Sequence, residues 1–535
     1  MHDATVSASR FDVIVVGGGH NGLVAAGLLA KRGRRVLVLE RRDVVGGAAV
    51  TELPFGPDFR VTSLSYVVSL MPATVMRELE LGRYGYKVFP QHPYFVAYPD
   101  GRYLMMCADK ARRFEQVAKF SRADAEELER WDGWLGRLGE VLGPLLTTVP
   151  PRIGSRRPAD LLAQLALLWK LRKLDERGVA DVTRLMTMSV ADLLEERFES
   201  PAVRGVLAVS GVIGTWAGPR SPGTAYVMAH HKIGDVGDGQ LGSWGFPEGG
   251  MGGVTTAMRR AAEGFGATIR TEAAVARIDV EDGRARGVTL DNGDSYRADV
   301  VIATTHPKLT FLRHVERGAL PAEFVTAIER WKTRSGTVKI NLALDRLPDF
   351  KARPGFDPEL HGGTIVLADS LDQLEAGFQD AAAGRPAAEP FADICIPSVF
   401  DRTLAPPGKH VMSMFTQWVP HEYAAAPHAA ELAAYADRVI DRVEALAPGF
   451  KASILHRQVI GPHEMQTRYG LIGGNIFHGE LSANQLFHMR PVPGYADFRT
   501  PIKGLYQASS ATHGGGGVTG IPALQVVKRV LRDRR

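Results

Sequence analysis

Apolar residues follow two different patterns along the chain, and each pattern predicts one kind of element. Continuous apolar runs at 13–16 and 36–39 are typical of strands buried on both faces, and a helix is predicted between them. The segment 275–303 instead alternates apolar and polar residues, with Asp-Gly and Asn-Gly hairpin turns at 282–283 and 292–293. The chain is therefore expected to contain a strand–helix–strand unit and a three-stranded meander that returns to the same sheet.

Three glycines connect the first predicted strand to the helix. Gly17 permits a tight exit from the strand, Gly19 lets backbone amides approach a pyrophosphate, and Gly22 lets the helix pack closely on the sheet. The start of the helix, with His20 and Asn21, then faces the phosphates, where unpaired N–H groups favour negative charge. This arrangement predicts a dinucleotide site that includes all five residues.

The residues after the second apolar run indicate which dinucleotide is bound. Glu40 follows Gly19 by about 20 residues, where a carboxylate accepts the hydroxyls of a ribose and repels a 2′-phosphate. Arg41, beside it, could indicate NADP, but a pyrophosphate contact or a surface position is the simpler interpretation. Gly46, Gly47 and Ala48 supply a second small-residue turn that can wrap a longer dinucleotide. This turn favours FAD over NAD.

A second glycine-rich segment lies near the other end of the chain. Residues 505–508 have the pattern of a short strand, four glycines occupy 514–517, and a helix is predicted from about 521 to 531. A helix start at this place can stabilise the electron density of a reduced flavin. The residues assigned to the cofactor from this segment are Ser510, Gly516, Gly517, Val518 and Thr519.

Length and composition indicate an ordinary folded protein of more than one domain. The chain has 535 residues, of which 45% are hydrophobic and 23% charged, and its formal charge is +5. No apolar run approaches the roughly 20 residues that span a bilayer. No nucleic-acid motif is present. Residues 1–9 are expected to form a flexible tail without the features of a secretory leader.

Cysteine usage excludes one kind of redox chemistry. The only cysteines are Cys107 and Cys395, and no CxxC or CxxxxC pair is available for a redox-active disulfide beside a flavin. Two isolated cysteines fit a reducing compartment. The expected location is the cytoplasm, or the mitochondrial matrix if the source is eukaryotic.

The predicted domains are discontinuous in sequence. Residues 10–75, 240–310 and 463–535 are assigned to an FAD-binding domain, and residues 76–239 and 311–462 to a substrate or cap domain. The fold class is α/β. It comprises a Rossmann-type FAD-binding domain of the glutathione-reductase-like flavoprotein class and a cap of mixed α+β structure.

Four segments together resemble a known family. ERRDVVGGAAVTE after the second strand, SPGTAYVMAHH at 221–231, EGGMGG at 248–253 and GGNIFHGELSANQLF at 473–487 are similar to the phytoene-desaturase-like branch of the amine oxidase superfamily. The similarity extends over nearly the whole chain. It implies that the backbone of Val275 contacts the adenine. It also implies hydride transfer between a C–C bond of a hydrophobic, polyene- or lipid-like substrate and N5 of FAD.

Histidines are the candidates for acid or base catalysis. His230 and His231 end the SPGTAYVMAHH segment, and His513 lies within the C-terminal glycine-rich segment. His231 and His513 are the first choices, although a histidine in such a position is more often a hydrogen-bonded structural residue. No cluster with metal-ligand spacing is present, so no metal is expected.

The segment 158–174 carries leucines at helical spacing with basic residues at one end. It is interpreted either as a helix of the cap domain or as a peripheral contact with a membrane that admits a lipophilic substrate. The sequence does not specify an oligomeric state.

Three other functions fit the same motifs. The chain could be an FAD-dependent amine oxidase acting on a C–N bond, or a redox-neutral isomerase that uses reduced FAD. A flavin-bearing interaction or assembly protein with little turnover is an alternative of a different class.

Overall fold

Two seven-stranded sheets, here called sheet A and sheet B, organise the protein. They are seen in a computed structural model that describes residues 10–91, 93–172, 174–232, 234 and 243–534. The predicted tail at 1–9 and the predicted domain boundary at 240 lie outside the described residues. No helix in these described ranges is both long and apolar enough to cross a bilayer.

Sheet A has a parallel core and an antiparallel edge. Its order, from the antiparallel edge, is Val275–Glu281, Arg284–Leu290, Ser295–Ala303, Arg10–Val16, Val36–Leu39 and Thr268–Arg270, and Leu505–Gln507 also pairs with Ser295–Ala303. The two hairpin turns therefore fall where the sequence predicts them. The parallel core, with its continuous apolar strands, is a Rossmann-type arrangement.

The strand Ser295–Ala303 has two different partners on one edge. Its first half pairs antiparallel with Arg284–Leu290, where Thr289 lies opposite Ser295. Its second half pairs in parallel with Leu505–Gln507, where Ile302 lies opposite Tyr506. The C-terminal glycine-rich segment thus begins beside the strand–helix–strand unit.

Helices cover the parallel core of sheet A. His20–Ala30 packs between Met251–Gly264 and Ile521–Asp533. Apolar side chains of these helices and of the strands, among them Val24 and Val526, form one buried cluster. The last helix begins at Ile521, as predicted, so the four glycines before it belong to a loop.

Sheet B is mostly antiparallel. Its order is Ile454–Ile460, Thr337–Leu344, His410–Gln417, Phe391–Cys395, Thr364–Leu367, Tyr94–Ala97 and Tyr103–Met105. Only Thr364–Leu367 and Tyr94–Ala97 run parallel to each other. All of these strands lie within the ranges that the sequence assigns to the cap domain.

The two faces of sheet B have different neighbours because successive side chains of a strand point to opposite faces. Val338, Ile340 and Leu342 pack toward the helix Ala429–Leu446. The alternate residues of the same strand, among them Lys339, are therefore on the opposite face. The helices that cover this opposite face include Arg122–Leu146, Pro201–Val212 and Thr224–Lys232.

The remaining elements connect or flank the sheets. Two-stranded pairs form between Thr51–Glu52 and Val61–Thr62 and between Val88–Pro90 and Gly245–Pro247. Other helices are Ala73–Glu78, Lys110–Ala118, Pro158–Leu171, Glu176–Thr187, Val190–Glu195, Pro307–Leu309, Ala322–Arg330, Pro358–His361, Leu371–Ala382 and Pro462–Tyr469, with a π-helical turn at Thr310–His314.

Replacing Gly22 with alanine is expected to disrupt the strand–helix turn. A Cβ atom at Gly22 would lie 2.0 Å from the carbonyl oxygen of Gly17, and backbone cannot move aside without shifting the whole turn. We expect a loss of about 2 kcal/mol of stability, a melting temperature lower by about 2 °C, and weaker retention of flavin absorbance.

Gly136→Ala is the matched control for this substitution. Gly136 also lies within a helix, but a Cβ atom there meets nothing within 4 Å. It should leave stability unchanged or raise it by about 0.5–1 kcal/mol. Equal melting temperatures for the two variants would contradict the steric argument.

Candidate active site

A cavity of about 690 Å³ extends from the carboxyl ends of the sheet A strands to one face of sheet B. Glu40 and Val275 line one end of the cavity, and Lys339 and Asp393 line the other. The volume is typical of a site for a small molecule. The predicted dinucleotide motif and the inner face of sheet B therefore share one space.

Backbone hydrogen bonds orient Glu40 at the nucleotide end. The N–H of Gly18 donates to Oε2 at 2.8 Å, and the N–H of Arg42 donates to Oε1 at 2.9 Å. The residue is almost fully buried and lines the cavity. Because each carboxylate oxygen accepts more than one hydrogen bond, both oxygens can also accept from a ribose hydroxyl.

The two glycine turns contact each other at the start of the first helix. The N–H of Gly46 donates to the carbonyl of Gly18 at 2.9 Å, and Gly17 and Gly46 have φ values of 102° and 124°. The helix His20–Ala30 has no side-chain cap at Gly19, where an added Cβ would meet nothing within 4 Å. The first N–H groups of the helix thus face open space in which a pyrophosphate can bind.

The first and last motifs of the chain are joined by one hydrogen bond. The Nδ2 of Asn21 donates to the Oγ of Ser510 at 3.3 Å, and both side chains line the cavity. Gly517 and Val518 line it as well. The C-terminal segment is therefore in place to contact the same ligand as the N-terminal glycines.

Gly516 and Thr519 are assigned to the cofactor, but they form hydrogen bonds that hold the C-terminal loop in place behind the cavity wall. The hydroxyl of Thr519 donates to the carbonyl of Gly514 at 3.0 Å and accepts from the N–H of Ile521 at 3.1 Å. The carbonyl of Gly516 lies 3.1 Å from Nε2 of His230. Neither Gly516 nor Thr519 lines the cavity.

Some of the other residues of the predicted dinucleotide site line the cavity, and others pack beneath it. His20, Gly47 and Ala48 line the cavity, whereas Gly22 packs against the turn beneath it. Arg41 lines the cavity too, but its guanidinium donates to the carbonyls of Thr467 and Arg468 at 3.0 and 2.6 Å. Arg41 therefore connects this end of the cavity to the helix Pro462–Tyr469.

Buried polar atoms without partners show that the cavity fits a polar ligand such as FAD. Within the described ranges, no protein atom pairs with His20 Nε2, Asn21 Oδ1, Ser69 Oγ or His478 Nδ1. All four side chains line the cavity. Since buried polar groups in proteins are normally hydrogen-bonded, a ligand with several donors and acceptors is expected to complete these four.

Of the three candidate catalytic histidines, only His231 lines the cavity. Its Nδ1 lies 2.9 Å from the carbonyl of Val227, and burial lowers its pKa. His230 is directed to the carbonyl of Gly516, and burial lowers its pKa to about 3. His513 lies 3.0 Å from the carbonyl of Leu145, and burial lowers its pKa to about 4. All three imidazoles are therefore neutral near pH 7.

Three further histidines on the wall, His306, His314 and His478, were not assigned from the sequence. His478 lies in the GGNIFHGE segment, its Nδ1 has no partner among the described residues, and burial lowers its pKa to about 3. Its carbonyl accepts from Nε1–H of Trp331 at 2.9 Å and lies 3.0 Å from Nε2 of His306. The segment 473–487, which carries part of the family resemblance, is the signal from which this residue could have been found.

Beneath His478, a buried arginine holds two parts of the wall. The guanidinium of Arg490 donates to the carbonyls of Phe477 and Ser510 at 2.7 and 3.0 Å. Burial lowers its pKa to about 10. The positive charge therefore lies close to the wall on the side where the C-terminal glycines are.

At the far end of the cavity, sheet B contributes a cluster of buried polar side chains. Lys339 and Asp393 both pair with Phe415 on the strand between them, so their side chains emerge on the same face. The ammonium of Lys339 donates to Asn341 Oδ1 at 2.5 Å and to Ser413 Oγ. The ring of Tyr66 stacks on Phe415 and lies 5.5 Å from Lys339 Nζ.

Burial changes the proton affinity of this cluster. It raises the pKa of Asp393 to about 7, with Tyr66, Cys395 and Lys339 acting in the opposite direction. It lowers the pKa of Lys339 to about 7. Both groups can therefore exchange a proton near neutral pH, which is the property required of a general acid or base.

The cysteines are not arranged for thiol chemistry. Cys107 and Cys395 are both free and buried, and burial raises the pKa of each thiol. Both are thus neutral thiols, which are poor nucleophiles. In the part of the chain that the structure describes, no three His, Cys, Asp or Glu side chains are grouped to hold a metal.

Comparison with known families assigns residues 22–521 to a single family, described as flavin containing amine oxidoreductase. The protein belongs to this family, because the match covers most of the chain. It is therefore an FAD-dependent oxidoreductase, and its cofactor is FAD, as the sequence predicts.

Three relatives and one solved structure are similar over nearly the full length. The chain is 38% identical to pyridine nucleotide-disulfide oxidoreductase domain-containing protein 2 of Rattus norvegicus, covering 98% of this chain and 94% of the relative. It is 25% identical to a limonene dehydrogenase component of Castellaniella defragrans (98% and 94% covered) and 24% identical to the lycopene-forming phytoene desaturase of a Paracoccus species (95% and 94% covered). An oxidoreductase from Methanosarcina mazei has the same fold, with a TM-score of 0.61 at 18% identity over 97% of this chain and 99% of that one. These similarities confirm the predicted fold class and the resemblance to phytoene-desaturase-like flavoproteins.

Replacing Glu40 with glutamine is expected to weaken FAD binding. The variant keeps the shape of the side chain but loses the charge that strengthens hydrogen bonds from a ribose, and its amide nitrogen cannot accept a backbone N–H as a carboxylate oxygen does. We expect the dissociation constant of FAD to rise by about tenfold, measured by titrating the apoprotein and following flavin fluorescence.

Glu281→Gln serves as the control for Glu40→Gln. Glu281 is an exposed carboxylate of sheet A that pairs with Arg297 and lies outside the cavity wall. It should bind FAD as the native protein does. An unchanged affinity in Glu40→Gln would show that the carboxylate does not contact the cofactor.

Proposed function

We propose that the protein is an FAD-dependent dehydrogenase that removes two hydrogens across a C–C bond of a hydrophobic small molecule. The substrate would bind in the end of the cavity lined by sheet B, next to Lys339 and Asp393. The observation that carries this proposal is that the predicted FAD site and this buried acid–base cluster share one cavity. The two unpaired cysteines support a location in a reducing compartment such as the cytoplasm.

The wall around the cluster supports an apolar substrate. Ile213, Trp244, Phe415, Ile476 and Phe477 contribute apolar surface to the cavity. Two of the similar proteins are named for the dehydrogenation of limonene and the desaturation of phytoene. An apolar wall with a few polar groups is the usual way in which a site binds a hydrophobic molecule and fixes its orientation.

Removing two hydrogens from a C–C bond requires one acceptor for a hydride and one for a proton. Bound FAD supplies the hydride acceptor. Asp393 is proposed to accept the proton, because its raised pKa makes the carboxylate a base suited to neutral pH. Lys339 is proposed to position the Asp393 carboxylate and to lower its pKa. The apolar wall would exclude water and would also position the substrate so that its C–H bond lies beside the bound flavin.

Oxidation of an amine at a C–N bond is a second candidate, favoured by one observation. Asp393 is a carboxylate in a largely apolar cavity, and such a group would also pair with the ammonium of a cationic substrate. The family takes its description from amine substrates.

Anaerobic mixing with candidate substrates separates the two functions. We expect hydrophobic alkenes or polyenes to bleach the flavin absorbance near 450 nm, roughly the band of oxidised FAD, and amines of similar size to leave it unchanged. Bleaching by amines alone would select C–N oxidation. Bleaching by neither class would contradict both proposals.

The rate of flavin reduction is expected to rise with pH through about 7. Asp393 must be ionised to accept a proton, and its raised pKa places that transition near neutrality. Asp393→Asn should remove this rise and slow reduction by about 100-fold or more. Lys339→Met should shift the rise to higher pH, since loss of a nearby positive charge raises the pKa of the carboxyl.

Asp369→Asn and Lys409→Met are the matched controls. Asp369 pairs with Arg442 and Lys409 pairs with Asp345, and both lie away from the cavity. Their pH profiles should equal that of the native protein. If Asp393→Asn kept the native profile, the proton would have to go to another group, of which His231 is the next candidate on the wall.

A further inference from the structure

The helix Pro158–Leu171 has the composition of a core helix, yet none of its residues is buried. It contains six leucines and a tryptophan in fourteen residues. Leu162, Leu165, Leu168 and Trp169 are 67, 61, 63 and 66% exposed. Of the ten large apolar side chains that the described residues leave exposed, seven lie between 153 and 179. Such a concentration of exposed apolar surface is characteristic of an interaction site.

Polar contacts determine which side of the helix faces the protein. The Nε2 of Gln164 donates to the carbonyls of Arg152 and Ser155 at 2.7 and 3.2 Å. The hydroxyl of Ser155 donates to Asp160 at 2.6 Å. Leu167 lies on the same half-buried side. The helix is thus held by its polar side and presents leucines outward, the reverse of an ordinary surface helix.

Basic side chains are placed at both ends of the apolar stripe. Arg156 and Arg157 precede the helix, Lys170 and Arg172 end it, and all four are exposed. The guanidinium of Arg172 lies 3.6 Å from the centre of the Trp169 ring. The one acidic residue within the helix, Asp160, is half-buried on the inner side.

We propose that this helix docks the protein on the surface of an anionic lipid bilayer. Leucines and a tryptophan flanked by basic residues are what a helix needs to lie in the interface, with its apolar side among the acyl chains and its cations near the headgroups. A second copy of the chain fits less well. A symmetric dimer through this stripe would pack two identical stripes, each with basic residues at both ends, against each other.

The segment that leads into the helix contacts the C-terminal loop of the predicted flavin site. The residues before it contact that loop through His513 and the carbonyl of Leu145, and Arg152 pairs with Asp497 at 3.4 Å. Gly517 and Val518 of the same loop line the cavity. Docking would therefore place the bilayer near the catalytic cavity and supply a substrate from the lipid phase, an inference that rests on the proposed function.

Vesicle flotation tests the docking without any turnover. The FAD-loaded protein is mixed with phosphatidylcholine vesicles that contain about 30 mol % phosphatidylglycerol, or none, and floated through a density gradient. We expect binding to the anionic vesicles, a decrease of at least tenfold without phosphatidylglycerol, and a comparable decrease for the variant Leu162→Gln/Leu165→Gln/Leu168→Gln. Vesicles of brominated lipid should quench Trp169, and the quenching should be absent in Trp169→Phe.

Phe356→Gln/Leu455→Gln is the control, because it removes two exposed apolar side chains far along the chain from the helix. It should float like the native protein. The docking proposal would be overturned if the native protein did not float, or if the triple variant floated equally well. A doubled mass in sedimentation that the triple variant abolishes would instead identify a second copy as the partner. Since flotation does not depend on flavin reduction, failure of the dehydrogenase proposal would be seen separately in the anaerobic experiment.

Discussion

In sheet A, strands from both ends of the chain pair with the same central strand, and the site depends on this pairing. Ser295–Ala303 accepts Arg10–Val16 on one edge and Leu505–Gln507 on the other, which brings Ser510 within hydrogen-bonding distance of Asn21. The nucleotide end of the cavity exists only when these strands are paired. The glycines near the start of the chain therefore form a complete site only together with a segment nearly 500 residues later.

The second constraint is the pleat of sheet B. Its alternation places Val338 and Ile340 in a core beside a long helix and places Lys339 on the opposite face, against the cavity. A lysine and an aspartate are seldom buried unless each has a partner or a function. Here both line the space that faces the predicted flavin site, and burial brings the pKa of each group near 7. The same covering layer that makes the cavity apolar thus makes its two ionisable groups reactive near neutrality.

Much of sheet A was predictable, because its signals are local. The apolar runs, the glycine spacing and the two hairpin turns each depend on residues close in sequence, and the observed strands follow them. Lys339 and Asp393 were not predictable in this way. In sequence they are single polar residues in alternating strands, a pattern that equally describes a strand with one face in water. Only the helices packed over that face show that it is interior.

The histidines illustrate the same limit of local reasoning. His230 and His231 are adjacent in sequence, but on a helix they point in different directions, and only His231 reaches the cavity. His478 lies in a segment whose resemblance to the family was evident, although no element around it could be predicted. Its place on the wall follows from contacts with Trp331 and His306, which are far away in sequence.

The strand Ser295–Ala303, which has two partners on one edge, also bears on the order in which the protein folds. During synthesis the ribosome delivers every strand of sheet B before Leu505–Gln507, the last strand of sheet A. The nascent chain must therefore keep one edge of an apolar parallel sheet unpaired while the rest of the molecule is made, and long-range pairing of this kind is slow. Capture of the cofactor is accordingly one of the final steps of assembly. The interval before it is the stage at which the newly made protein most needs protection from aggregation.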